Sequence, residues 1–121
     1  MILVISLFTS CVFRHTDDLS DLGGNYYFLP DGRMSTIGYN TANEGENRSG
    51  ITLVEPKVVE YAFNDKVIIA KSIDVYDKKV KFWIIDKDKA LHNNVEEFDS
   101  ISFYNELSKR NIKLKLGNGS N

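Results

Sequence analysis

Cysteine is almost missing from this chain: Cys11 is alone among 121 residues. One thiol excludes an internal disulfide and a thiolate metal cluster, so a folded body has to be held by its apolar core. Histidine is nearly as scarce. His15 and His92 are the two present. Because His15 falls in a segment read below as a tether, histidine-based metal or acid/base chemistry would rest on His92 alone, and an exposed turn residue is the simpler reading of it. An excess of basic charge is absent too: the formal charge is −2, which leaves no cluster of Lys and Arg to displace counterions from nucleic acid. Long apolar runs are also wanting. The N-terminal one offers seven apolar residues where a membrane-spanning helix needs about 20. Among motifs, Ser72, Ser100 and Ser102 lack a nucleophile-elbow context, and Gly23-Gly24 lacks phosphate-cradling spacing. Asp86 and Asp88 open like a calcium loop, but Ala90 stands at the fifth position and no glycine or bidentate Glu follows in register. These absences argue against an enzyme and give no reason to expect a cofactor or metal.

What is present is an ordinary globular composition, with 42% hydrophobic and 26% charged residues, enough to bury one core in one domain. Charge is unevenly spread. Residues 12–56 carry three basic and seven acidic side chains, and residues 57–121 carry twelve and ten, a contrast that a solvated loop surface explains without a cation site.

The chain opens MILVISLF, uncharged and apolar, and then places the small polar residues Thr9 and Ser10 before Cys11. An apolar stretch followed by small residues is the order of a secretory leader. The segment Phe8-Thr9-Ser10-Cys11 resembles a bacterial lipobox, although no basic residue precedes the apolar run and Phe8 occupies a position where Leu is usual. Read this way, residues 1–10 form a leader, Cys11 carries a diacylglycerol thioether and palmitate, residues 11–23 form an acidic tether with Asp17, Asp18 and Asp21, residues 24–116 form the domain and residues 117–121 a tail. The protein is then held extracytoplasmically on the cell membrane by lipid. The alternative is that Ile2–Phe8 is a buried strand and Cys11 a small core residue.

Beyond Asn25, short β-rich runs alternate with turn signals, which predicts an α+β fold: one antiparallel meander of about five to seven strands with a C-terminal helix packed on it. The expected strands are Asn25–Leu29, Met34–Tyr39, Ile51–Val54, Lys57–Phe63, Val67–Val75 and Lys79–Ile85, with a short addition at Ala90–His92. Pro30-Asp31-Gly32-Arg33 predicts a tight hairpin turn, and Asn40–Gly50, with little to bury, a surface loop. In VKFWIID, Phe82 and Ile84 face one side and Trp83 and Ile85 the other, so both faces need cover and the helix can supply one. That helix starts after Asp99, whose carboxylate can accept from free N–H groups, with Phe98 and Phe103 spaced as a hydrophobic staple. Ile112, Leu114 and Leu116 alternate with Lys113 and Lys115 as an edge strand.

The blocks Tyr27-Phe28-Leu29, Val58-Val59-Glu60-Tyr61 with Asn64 through Lys71, Trp83-Ile84-Ile85-Asp86-Lys87 and Phe103 through Ile112 resemble an uncharacterised family of small bacterial lipoproteins. The likeness implies an exported, anchored, single-domain protein and no activity. Two functional expectations follow. The first is a non-catalytic interaction module that binds an envelope protein or glycan through a sheet face, with Tyr27, Tyr39 and Trp83 as a possible aromatic contact surface, or through the Asn40–Gly50 loop. The other is an inhibitor or immunity-type protein that blocks an envelope hydrolase.

Overall fold

The computed structural model describes residues 19–41 and 50–117. The leader, Cys11, His15, most of the tether, residues 42–49 of the loop and the end of the tail lie outside the described residues. Within them the fold is α+β, with eight strands in two antiparallel four-stranded sheets and one C-terminal helix. The first sheet holds β1 (Ser20–Gly23), β2 (Tyr26–Leu29), β3 (Thr36–Asn40) and β4 (Gly50–Val54) in sequence order; the second holds β5 (Val58–Phe63), β6 (Val67–Ile73), β7 (Val80–Asp86) and β8 (Val95–Phe98), also in order. Helix α1 spans Ser100–Lys109.

The expected single meander is therefore split in two. The split falls at Glu55-Pro56-Lys57, between β4 and β5. Pro56 has no N–H to give a ladder, and the chain passes there from one layer to the next instead of pairing β5 beside β4.

Both faces of the second sheet are apolar, and that decides the layering. Ile68, Ala70 and Ile85 meet Leu22, Tyr26, Ile37 and Val54 of the first sheet, with Trp83 and Phe63 packed at the margin. On the opposite face Ala62, Ile69, Phe82 and Ile84 meet Phe103 and Leu107 of the helix. The order is sheet, sheet, helix. Bulges tune which residues point inward. The irregularity between Val58 and Glu60 lets Val58 and Tyr61, an odd number apart, share the inter-sheet face. The one between Asp21 and Gly23 turns Leu22 fully inward.

The helix forms where its caps predict. Asp99 accepts from the Ser102 N–H at 2.8 Å, and Phe98 and Phe103 pack in the same apolar layer. At its other end Asn111 takes a left-handed φ of 58°. The Ile112 N–H then reaches Leu107 O at 2.9 Å and the Asn111 N–H reaches Ser108 O at 3.1 Å, the paired bonds of a Schellman close.

Four local expectations are revised. Pro30–Arg33 is not a two-residue turn, because a 3-10 turn at Gly32–Met34 lengthens the connection. Ala90–His92 is a turn, and β8 forms instead at Val95–Phe98, where its register pairs Phe98 with Phe82 and Val95 with Ile85. Ile112, Leu114 and Leu116 do pack inward against the helix layer, but they do not form a strand; the nearest ladder-like bond runs from the Tyr61 N–H to Gly117 O at 2.6 Å. Finally, the first sheet begins at Ser20, inside the segment expected as tether.

Candidate functional site

Each sheet has two ends, and the contacts between sheets align them. At the lower end, the start of β3 meets the start of β5: the Val58 N–H donates to Ser35 O at 3.0 Å and Ser35 Oγ to Val58 O at 2.8 Å. At the upper end three turns converge, Gly23–Asn25, Asn64–Lys66 and the long connection from Lys87 to Asn94. The ends of the expected loop, Asn40 and Gly50, pair with one another on this side.

The turn chemistry is legible locally. Gly23, Gly24 and Asn25 have φ of 90°, 59° and 75°, a run of left-handed residues that Gly-Gly-Asn tolerates where branched side chains would not. Asn64 Oδ1 accepts from the N–H groups of Lys66 and Val67 at 2.8 and 2.9 Å. Asp86 Oδ1 accepts from the Asp88 N–H at 3.0 Å. His92 sits exposed in a turn at φ 82°.

Lys87 stands at the centre of this end. Its Nζ donates to Leu22 O and to Asn64 O at 2.7 Å, and lies 5.5 Å from the centroid of the Phe63 ring. One ammonium thus bridges the first sheet and the β5–β6 turn. Burial pushes its pKa down, with Asp65 and Asp21 opposing that shift. Beneath it, Tyr26 Oη accepts from Asn94 Nδ2 at 2.7 Å, and burial, the largest influence, raises the tyrosine's pKa. Asn94 Oδ1, also buried, has no partner among the described residues.

Around this bridge the surface is concave. A cleft of about 380 Å³ runs between Gly23, Phe63, Asp65, Lys87 and Asp88. On the outer face of the first sheet another, of about 410 Å³, is bounded by Asp21, Asn25, Tyr27 and Asn40. A third, of about 350 Å³, lies between Asn64, Lys66, Asp86 and the residues closing the helix. There Arg110 donates to Glu106 at 2.8 Å and to Glu96 at 2.7 Å, tying the helix to β8. Both signs of charge and several amide groups are within reach, a mixture suited to a polar partner.

The three aromatics expected to form one contact surface are placed apart. Tyr39 packs edge-on against Tyr26 with centroids 5.0 Å apart, and Trp83 donates from Nε1 to Ser72 Oγ at 2.8 Å. Both border the inter-sheet core. Tyr27 is on the other face of the first sheet, where its ring covers two glycines: a Cβ on Gly38 would stand 2.7 Å from Tyr27 Oη and 2.9 Å from Ile51 O. The upper-end cleft was missed in the sequence because its parts come from separate turns. Lys87 within WIIDK carried no local sign that it would be drawn inward.

No group of His, Cys, Asp and Glu among the described residues is arranged to hold a metal ion. No family model, curated protein or solved structure matches the chain.

Lys87 and Tyr26 make opposite predictions for alkaline stability. A lysine whose folded pKa lies below 10.5 contributes stability that is present above 10.5 and is lost as pH falls through the folded value. A tyrosine raised above 10.0 contributes stability present below 10.0 and lost as pH rises through its folded value. In Lys87→Met the upward contribution disappears. Urea titrations at stepped alkaline pH are expected to show the variant losing stability, relative to wild type, as pH approaches 10.5; parallel curves would refute the partial desolvation of the ammonium.

Proposed function

We propose that the protein is a lipid-anchored, extracytoplasmic, non-catalytic binding module that is tied to the membrane through Cys11 and presents its cleft-bearing upper end to an envelope protein or glycan. The observation that carries the reading is polarity of the fold. β1 runs upward from Ser20, so the chain reaches the domain from the lower end, beside Leu19 at the margin of the first-sheet cleft and opposite the clefts at Lys87 and at the close of the helix. Among the described residues both apolar layers are built from Leu22 onward, which suits a domain that follows a removable leader. Lys87, central at the upper end, already donates to two backbone carbonyls; that is the work of a structural tie, and it supports binding over catalysis. The lipobox-like Phe8-Thr9-Ser10-Cys11 and the resemblance to small lipoproteins point the same way.

Two measurements test it. Palmitate labelling in cells is expected to mark the wild-type chain and not Cys11→Ala, with the variant moving from the membrane to the soluble fraction. A photocrosslinking residue at Asp65 or Asp88, both on the cleft rim, is expected to capture one defined partner that the same residue at exposed Ser100, at the far end of the helix, does not. An unlabelled wild type sinks the anchoring, and capture equal at all positions sinks the binding end.

A further inference from the structure

The lower end of the domain has its own chemistry. Exposed large hydrophobic side chains lie at this end: Leu29 is 36% exposed, Met34 50%, Val80 47% and Tyr76 88%. They come from two connections, β2–β3 and β6–β7, that backbone bonds through the start of β5 hold together. Ser35, after the 3-10 turn, is bonded to Val58, and Lys57 exchanges bonds with Ile73 at 3.0 and 2.9 Å. This brings the β6–β7 turn, with Tyr76 at its tip, beside the β2–β3 connection. Ile101, 76% exposed in the first turn of the helix, flanks them.

From the geometry we infer that this end lies against the bilayer surface, with Leu29, Met34, Tyr76 and Val80 dipping into the headgroup region. The inference rests on the proposed anchoring at Cys11. Eight peptide steps separate Cys11 from Leu19, a reach of at most about 25–30 Å, and the chain enters β1 from this same end. The occupant brought closest to the apolar side chains is therefore the lipid that holds the anchor. Tyrosine suits the position, since its ring is apolar and its hydroxyl stays hydrated at the interface.

Charge is not the attraction. Arg33, Lys57, Lys78 and Lys79 are offset by Asp31, Glu55, Asp74 and Asp77. Two of these carboxylates are turned onto backbone: Asp74 accepts from the N–H groups of Tyr76 and Asp77 at 2.8 and 3.0 Å, and Asp77 from that of Lys79 at 2.9 Å. The acidic groups thus shape the turn that presents Tyr76. Contact with lipid is apolar burial, with little dependence on salt.

The test uses the full chain isolated from bacterial membranes and placed in phosphatidylcholine–phosphatidylglycerol vesicles with brominated acyl chains, which quench tryptophan at close range. Tyr76→Trp is compared with Asp65→Trp at the upper end; Trp83 contributes equally to both. The emission added at position 76 is expected to be quenched at least about threefold more than that at position 65, and to change by less than about twofold between 0.1 and 1 M salt. Equal quenching, or stronger quenching at 65, overturns the inference, as does a protein partner that shields both. Palmitate labelling of wild type beside Cys11→Ala separates the two readings. A labelled chain with equal quenching means that the anchor stands and the contact surface falls. An unlabelled chain with position 76 selectively quenched means the reverse.

Discussion

Replacing Phe103 by alanine is expected to lower the unfolding free energy by about 3–5 kcal/mol, a large part of the 5–15 kcal/mol typical of a domain. Phe103 is fully buried. Its ring lies 4.9 Å from that of Phe82 and 4.9 Å from that of Tyr104, and it fills the space between the helix and the outer face of the second sheet with Leu107 and Ile84. No other helical residue can fill that space: Leu107 is a full turn away and Tyr104 is half exposed. The cavity would be lined by Ile69, Phe82 and Ile84 and would not hold water comfortably. Urea denaturation followed by far-ultraviolet circular dichroism measures the effect. A loss under about 1 kcal/mol would mean that the helix is not docked on the sheet.

Leu22→Ala carries the second large effect, an expected loss of about 2–5 kcal/mol. In a tether such a change would cost nothing measurable. Leu22 instead sits at a bulge on an edge strand, has no exposed surface and packs among Tyr26, Ile37, Val54 and Ile68. Its carbonyl also receives Lys87 Nζ, so collapse around the truncated side chain would disturb the bridge to the second sheet as well. Urea midpoints of wild type and variant at neutral pH decide it: unchanged midpoints would place Ser20–Gly23 outside the cooperative unit, and a variant that sheds stability only in β1 would give two transitions where wild type gives one.

The two substitutions probe different interfaces. Phe103 belongs to the sheet–helix layer and Leu22 to the sheet–sheet layer, and they share no contacts in either cluster. Their effects are expected to add in the double variant to within about 0.5 kcal/mol, unless loss of either layer already unfolds the protein.

Local signals were strong enough to be read without the fold. Asp99 caps the helix because a carboxylate one residue before a free first turn has N–H groups to accept from. Phe82 to Ile85 are four consecutive apolar residues, which in a strand fall on both faces and require cover on both sides, as is visible in VKFWIID itself. The turns at Asn64-Asp65 and Asp74–Lys78 form because short polar side chains bond their own backbone two and three residues on. Lys113 and Lys115 point outward, as their alternation with Ile112, Leu114 and Leu116 requires.

Tertiary structure alone decided the rest, because it depends on which distant segments meet. Periodicity counts the faces a strand must bury and does not name what buries them, so the break at Pro56 into two stacked sheets could not be told from one long meander. Leu22 looked like one apolar residue in an acidic stretch until a bulge and a partner sheet enclosed it. Val95-Glu96-Glu97-Phe98 has too few apolar residues to announce a strand, and forms one because β7 offers it a free edge. The same is true of the two functional ends. Residues scattered from position 19 to 113 make the clefts, and two connections far apart in sequence bring the apolar side chains to the end below, so only the stacking of the sheets could bring either set together.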